Sequence, residues 1–293
     1  MNRLSIEKRA QILNLLVEGN SMRATSRIAD VSINTVTKTL VDAGTASLAY
    51  QDETIRGIKS KRVQCDEIWA FCYSKEKNVA PEDKGILGYG DAYTWTAIDA
   101  DTKLCISWLV GRRSGEYAEA FIEDLASRLE GRIQLTTDGH GPYLAAVEKV
   151  FGAAIDYAML VKIYEDGGAT GQKRYSPSAF VAAEKRTITG NPEESKISTS
   201  YVERQNLTMR MGMRRLTRLT NGFSKKIENL EHAVSLHFMF YNFARIHKTL
   251  RVTPAMEAGI ADHVWSLEEI AGLVQDEPAK KRGHYKTKAK AGA

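Results

Sequence analysis

The fold is decided by residues 63–73, whose sequence is VQCDEIWAFCY. The run is rich in β-branched and aromatic residues and is followed by a polar loop at 75–84, so it predicts a strand. Both faces of this strand are apolar, so we expect it to be central in a sheet. An acid there is costly unless it is paired or binds a metal, which makes Asp66 a candidate functional residue. Strand alternation does not choose between Asp66 and the adjacent Glu67, and Asp66 could also belong to an edge strand.

The rest of the central region predicts an α/β domain. Three strands in a meander are followed by alternating helices and strands, which is typical of a mixed sheet with helices packed on it. We expect strands at 63–73, 93–99, 104–110, 132–137 and 154–159, and helices at 114–129, 142–151, 200–216 and 225–247, with a short helix from residue 254.

Residues 160–197 lack periodicity and are rich in Gly, Lys, Thr and Ser, so we expect a long loop inserted in the domain. Asn242, Arg245 and His247 lie on an apolar helix, where a packing role is favoured over direct chemistry.

The first 44 residues predict three short helices. Gly19 and Asn20 end the first, Ser21 caps the second, and Ser32 caps a third that ends at Gly44. This spacing is typical of a helix-turn-helix, whose last helix enters the major groove of DNA; a protein-binding three-helix bundle is the alternative. The residues then presented to DNA are Asn34, Thr35, Lys38 and Thr39.

We therefore divide the chain into four parts. They are a helix-turn-helix domain at 1–48, a linker at 49–61, a catalytic domain at 62–260, and a C-terminal helix with a basic tail at 261–293.

The composition is that of a soluble protein, with 43% hydrophobic and 26% charged residues in 293. The three cysteines form no CxxC pair, which disfavours disulfides and zinc sites, and no signal peptide or membrane span is apparent. We expect a cytoplasmic location. The net charge of +5 is modest, but residues 204–226 carry seven Lys/Arg and residues 280–290 carry six, both without an acid. Such blocks favour a polyanionic partner, although solvated surfaces would look the same.

Two further carboxylates stand out by position. Asp138 follows the strand at 132–137, at the end where open α/β sheets bind ligands. Glu203 lies one turn into a helix that carries Arg210 and Arg214 on the same face. Their structural alternatives are a turn cap for Asp138 and a capping box between Ser200 and Glu203. Grouped carboxylates suit magnesium, and two such ions can drive phosphodiester chemistry.

Three segments resemble the active-site blocks of transposases of the insertion sequence one family. They are CDEIWAF at 65–71, TTDGHGPY at 136–143 and YVERQNLTMRMGMRRLTRLTNGFSKK at 201–226. The segment FYNFARIHKTLRVTPAMEAG at 240–259 is similar to the tail of many integrase-core transposases. The resemblance covers residues 62–260. It implies an RNase H-like fold in which Asp66, Asp138 and Glu203 hold two Mg²⁺ ions, with Mn²⁺ as a substitute.

The resemblance also implies a DDE transposase that exposes a 3′-hydroxyl at each end of an insertion sequence and joins it to target DNA. Its partners would be terminal inverted repeats and target DNA, bound by a dimer or larger assembly on the bacterial nucleoid. The DNA contacts that follow are Arg204, Asn206, Arg210, Arg214, Arg215, Arg218, Lys225 and Lys226; Gln205 and Thr208 flank them, and His140 is a weaker candidate.

The chain departs from the family in two respects. It starts directly at the three helices, without the cysteine-rich segment that family members can carry, so no zinc is expected. The interval from Asp138 to Glu203 is long, which leaves Glu184, Glu193 and Glu194 as rivals of Glu203.

Two other functions remain open at this point. An RNase H-like nuclease would use the same metals without strand transfer, but it has little need of a sequence-reading helix. A DNA-binding regulator with a ligand-sensing domain would need no acidic triad, so it would tolerate Asp138→Asn.

Overall fold

A six-stranded mixed sheet forms the centre of the protein in a computed structural model that describes residues 4–164 and 180–275. The spatial order is β3-β2-β1-β4-β5-β6. β1 pairs antiparallel with β2 and parallel with β4, β4 is parallel to β5, and β2–β3 and β5–β6 are antiparallel. This arrangement is compatible with an RNase H-like fold. The strands are β1 (Arg62–Cys72), β2 (Gly90–Asp99), β3 (Cys105–Gly111), β4 (Gln134–Thr137), β5 (Asp156–Tyr164) and β6 (Phe180–Thr189).

Helices cover both faces of the sheet. Val63 and Cys65 of β1 pack in one hydrophobic cluster with residues of α4 and α5, whereas Ile68 and Ala70 pack in a second cluster with residues of α6 and α7. β1 is therefore a central strand covered on both faces, as its sequence predicts, and Trp69 near its end is exposed. The helices are α1 (Ile6–Val17), α2 (Met22–Ile28), α3 (Ile33–Thr54), α4 (Gly115–Arg128), α5 (Pro142–Phe151), α6 (Ser200–Gly212), α7 (Ile227–Met239), α8 (Pro254–Glu257) and α9 (Leu267–Gly272).

The predicted caps of the N-terminal helices are confirmed. Ser21 accepts a hydrogen bond from the backbone N–H of Ala24, and Ser32 accepts one from Thr35. The predicted end of the third helix at Gly44 is wrong, because α3 continues to Thr54 through the first part of the expected linker. A Cβ at Gly44 would lie 2.6 Å from the Cβ of His232 in α7. Gly44 thus permits the close crossing of two helices and does not terminate one.

The prediction of a loop over residues 160–197 is wrong for residues 160–164 and 180–189, whereas residues 190–197 form a loop with one 3-10 turn at Glu194–Lys196. β5 runs on to Tyr164, and residues 180–189 form β6 at the edge of the sheet. β6 is exposed along nearly its whole length, so hydrophobic alternation, which reports burial, could not reveal it. Residues 165–179 lie outside the described part, as does the basic tail at 280–290.

The π-helical turn Phe240–Ala244, which directly follows α7, is fastened to the sheet by Asn242, and this confirms the expected packing role of Asn242. Its side-chain oxygen accepts the backbone N–H of Cys105, and its amide donates to the carbonyl of Cys105, each at 3.0 Å. Cys65, Cys72 and Cys105 are free and buried. Within residues 4–164 and 180–275, no helix is long and apolar enough to cross a membrane.

Candidate functional site

Asp66 and Asp138 meet because their strands are parallel neighbours. The last pair in the register of β1 and β4 is Cys65 with Thr137, and the two aspartates are the next residues along each strand. Oxygen atoms of Asp66, Glu67 and Asp138 all lie within 4.8 Å of one another. We call these three residues the acidic cluster. Its carboxylates could hold a metal ion, since hard divalent cations prefer oxygen ligands.

The two acids of β1 point to opposite faces of the sheet. Asp66 Oδ2 accepts a hydrogen bond of 2.9 Å from Asn206 of α6. Glu67 Oε2 lies 3.1 Å from Nε of Arg113, which is on the other side, next to α4. Asp66 thus faces the helix that carries Glu203 and Glu67 faces the opposite side, and the choice of Asp66 over Glu67 as a metal ligand stays a prediction.

Asp138 lies close to both acids of β1. Its Oδ2 lies 3.4 Å from NH2 of Arg113, and its Oδ1 accepts the backbone N–H of His140 at 3.0 Å. The Asp138 side chain is one-third exposed, whereas the Glu67 side chain is 2% exposed. The cluster is therefore open to solvent at Asp138 and closed at Glu67.

Crowding of negative charge perturbs both acids of β1. Burial raises the pKa of Asp66 to about 7, and the charge of Asp138 is the next cause. Burial, again followed by the charge of Asp138, raises the pKa of Glu67 to about 7. Glu67 Oε1 is buried without a hydrogen-bond partner. Fully ionised, the cluster thus has more negative charge than Arg113 offsets, so its donor set and charge fit a divalent cation.

Glu203 lies on α6, one turn before Asn206, and stands outside the acidic cluster. Its Oε1 accepts a hydrogen bond from Thr199 and forms an ion pair with Lys162 of β5. The alternative of a capping box with Ser200 does not describe this helix, because Thr199 is its N-cap residue. The charge of Glu203 contributes to the raised pKa of Asp66. Its role as the third metal ligand stays a prediction.

The position of α6 is fixed by a polar residue of β1. Gln64 Oε1 accepts the backbone N–H groups of Tyr201, at 2.8 Å, and Val202, at 3.2 Å. Gln64 shares a face of β1 with Asp66, two residues on. The start of α6, and with it Glu203 and Asn206, is held beside the acidic cluster by this contact.

The predicted DNA contacts of the basic segment differ in exposure. Asn206 is buried on Asp66, Arg215 donates to Ser224 Oγ at 2.9 Å, and Arg210 is half-buried with a pKa lowered by burial. Their assignment as DNA contacts stays a prediction. The fully exposed members are Arg204, Arg214, Arg218, Lys225 and Lys226.

The predicted reading residues lie at the start of α3. Asn34 and Lys38 are exposed, Thr35 is half-buried and bonded to Ser32, and Thr39 is buried and donates to the carbonyl of Thr35. Asn34 and Lys38 are therefore the exposed members, and Lys38 Nζ forms an ion pair with Asp42 Oδ2 at 2.5 Å.

Arg113, Lys162 and Tyr143 were missed by the sequence reading. Arg113 and Lys162 pair with the acids of the site, and Tyr143 is buried with its hydroxyl beside Glu67. Isolated basic residues near strand ends carry no motif, so only the register of the strands reveals these pairs. His140, the weaker candidate of the sequence analysis, packs its ring on Trp95 and Tyr143, with centroids 5.7 and 6.0 Å away.

A cleft lies apart from the acidic cluster. It has a volume of about 760 Å³ between the start of α2 and the segment that joins α6 to α7, and its lining includes Met22, Arg214 and Phe223. The residues of the acidic cluster do not line this cleft, so we do not assign the cleft to the candidate metal site.

Comparison with known proteins gives little. No family model matches the chain, and no curated protein matches it. Thirteen chains of solved structures match; one comes from a cryo-EM structure of the piggyBac transposase synaptic complex with hairpin DNA. It is 12% identical, over 74% of this chain and 52% of that one, with a TM-score of 0.31. The chain thus spans about half the length of that protein. At this TM-score the likeness supports no conclusion about fold or function.

Proposed function

We propose that the protein is a DNA transposase of the DDE type, which cleaves the ends of an insertion sequence and joins them to target DNA. The observation that carries this proposal is the acidic cluster, in which Asp66 and Glu67 of β1 lie beside Asp138 at the end of β4, next to a helix that bears Glu203. Carboxylates gathered in this way suit two Mg²⁺ ions, for which Mn²⁺ can substitute.

We assign the metal ligands as Asp66, Asp138 and Glu203. When bound, such ions activate the attacking oxygen of a water or 3′-hydroxyl and stabilise the oxygen that leaves the phosphorus. Asn206 orients the Asp66 carboxylate by donating to its Oδ2. Arg113 neutralises Glu67 and approaches Asp138, while Lys162 neutralises Glu203, so both cations limit repulsion among the acids.

The basic residues after Glu203 supply the contacts to DNA in this proposal. Arg204, Arg214, Arg218, Lys225 and Lys226 are exposed and would bind phosphate oxygens without regard to sequence. Asn206, Arg210 and Arg215, which are buried or half-buried, would add further contacts to the DNA. The first three helices would act as the helix-turn-helix, with Asn34 and Lys38 reaching bases of the terminal inverted repeats and Thr35 and Thr39 beside them.

The proposed reaction implies an oligomeric assembly and a location on DNA. Two transposon ends must be held together for coordinated joining, which requires a dimer or a larger assembly on DNA. The protein would act on the bacterial nucleoid in the cytoplasm.

A strand-transfer assay tests the proposal. Pre-cleaved duplexes from the DNA that flanks the gene are incubated with supercoiled target and Mg²⁺ or Mn²⁺. We expect joined products with the wild type and none with Asp66→Asn, Asp138→Asn or Glu203→Gln, although all three variants still bind the duplex. An exposed acid, Glu82, provides the control variant Glu82→Gln, which should keep full activity.

Each departure from this outcome has a distinct meaning. Nicking without joining by the wild type would favour an RNase H-like nuclease. Full activity of Glu203→Gln would show that Glu203 is not a metal ligand. A wild type that binds the duplex without cleaving or joining it, and whose binding is unchanged by Asp138→Asn, would favour a DNA-binding regulator.

A further inference from the structure

Beyond the acidic cluster, β1 carries a row of partly exposed aromatic rings. Trp69 and Phe71 follow Glu67 at intervals of two residues, so all three side chains share one face of the strand. Trp69 is 38% exposed, and Phe71 is half-buried. Phe223, from the segment between α6 and α7, extends the row. We call Trp69, Phe71 and Phe223 the aromatic strip.

The strip is held in place by backbone and ring contacts. Ser224 bridges to Cys72 of β1, and its carbonyl accepts the N–H of Tyr73 at 2.9 Å, which seats the neighbouring Phe223 against the strand. The ring centroids of Phe71 and Phe223 are 4.7 Å apart with planes inclined at 31°, and those of Trp69 and Phe71 are 5.8 Å apart at 37°. The rings are thus roughly aligned.

Two lysines flank the rings. Lys225 Nζ lies 4.2 Å from the centroid of Phe223, and Lys75 Nζ lies 5.9 Å from that of Phe71. Both lysines are exposed. One acid also lies beside the strip. It is Asp91, the cross-strand neighbour of Phe71, and its Oδ1 accepts the backbone N–H of Glu76 at 3.4 Å. Cations beside partly exposed rings combine a stacking surface with positive charge.

This combination fits unpaired nucleotides. Proteins that bind single strands stack bases on aromatic side chains and track the phosphates with basic ones. With a rise of about 3.4 Å per residue, Trp69 lies about 7 Å and Phe71 about 14 Å along the strand from Glu67. Glu67 shares this face of β1, whereas Asp66 faces α6, so a DNA strand that passes the acidic cluster on the Glu67 side would meet the strip with its next bases.

We propose that the aromatic strip stacks unpaired bases of the DNA strand adjacent to the site of cleavage. The inference rests on the proposed function for the identity of the DNA, but the binding surface itself requires no catalysis. Trp69 is the principal stacking residue, because it is the most exposed ring of the three.

Binding of a labelled oligothymidine in EDTA tests the strip without any contribution from metal. Trp69→Ala should bind roughly 5- to 100-fold more weakly than the wild type, the range typical of the loss of one stacked base. Trp69→Phe, which keeps a ring, should retain most of the affinity. The control Tyr164→Ala removes a ring that is 51% exposed on β5 and should leave binding unchanged.

Intrinsic fluorescence provides a second measurement that does not depend on Trp69→Ala being folded. Trp95 is fully buried, and Trp108 and Trp265 are half-buried, so Trp69 is the tryptophan that a base can reach most easily. Oligothymidine should quench the wild-type emission, and the quench should vanish in Trp69→Phe although binding persists.

The outcomes separate this inference from the proposed function. Wild-type affinity in Trp69→Ala, or an undiminished quench in Trp69→Phe, would overturn the stacking role even if strand transfer is observed. Conversely, if the protein performs no strand transfer but binds oligothymidine through Trp69, the stacking role of the strip would stand and the proposed transposase activity would be refuted.

Discussion

Replacing Asp66 by asparagine is expected to stabilise the protein when metal is absent. Burial and the charge of Asp138 raise the pKa of Asp66 from 3.8 to about 7, so ionisation is unfavourable in the folded state. Between about pH 4 and pH 7 the unfolded chain holds fewer protons than the folded one, and stability therefore falls as pH rises through this window. The difference corresponds to about 4 kcal/mol at pH 8. Because Glu67 shares the same repulsion, we expect the substitution to recover about 2 to 4 kcal/mol.

The surroundings of Asp66 accept the amide. Asp66 Oδ1 accepts the backbone N–H of Glu67 at 2.8 Å, a bond that an asparagine oxygen can keep. Asn206 now donates to Asp66 Oδ2, while its own Oδ1 is buried without a partner. Rotation of the Asn206 amide would let that oxygen accept from the new side chain. The substitution thus removes charge without loss of hydrogen bonds.

Thermal unfolding in EDTA measures the effect. At pH 8 the melting temperature of Asp66→Asn should exceed that of the wild type by about 4–8 °C, and at pH 5 the gain should shrink to about a third. Mg²⁺ should stabilise the wild type at pH 8 and leave the variant nearly unchanged. A variant that is no more stable at pH 8, or a gain that does not depend on pH, would refute the electrostatic reasoning.

Three further substitutions test separate parts of the structure. Gly44→Ala places a Cβ 2.6 Å from the Cβ of His232 and should cost about 1–3 kcal/mol in urea unfolding, whereas Gly115→Ala, with open space around it, should cost nothing; a stabilised Gly44→Ala would disprove the close helix crossing. Asn242→Ala leaves the N–H and carbonyl of Cys105 unpaired, so we expect a loss of about 2–5 kcal/mol by the same measurement, and a loss below that would argue against its fastening role. Glu203→Gln should slow strand transfer by at least about 100-fold while shifting the melting temperature little, because the side chain is 38% exposed.

Much of the fold could be predicted because burial leaves a periodic trace in the sequence. The apolar run of β1, the meander of β2 and β3, and the capped starts of α2 and α3 all carry such a signal, and the structure has these features within a few residues of the expected positions. β6 carries none, because an exposed edge strand needs no apolar face. Gly44 misled the prediction for a different reason: the residue that most often ends a helix also permits close packing.

The candidate site could be predicted only in part. Asp138 was recognisable because it follows a strand, but the sequence could not tell Asp66 from Glu67, since both have apolar neighbours. Their environments depend on which helix covers each face of β1, as the contacts to Asn206 and Arg113 demonstrate. The pairing of Glu203 with Lys162 joins residues 41 positions apart and likewise depends on the tertiary fold.

The central claim is that Asp66 and Asp138 hold divalent metal, and direct titration of the protein with Mn²⁺ tests it most directly. Calorimetry should detect binding to the wild type and to Glu82→Gln, with affinity reduced at least about tenfold in Asp66→Asn and Asp138→Asn. Glu67→Gln should bind more tightly than either, because Glu67 is paired with Arg113 and lies on the other face of the strand. Wild-type affinity in Asp66→Asn or Asp138→Asn, or no binding by the wild type, would contradict the account.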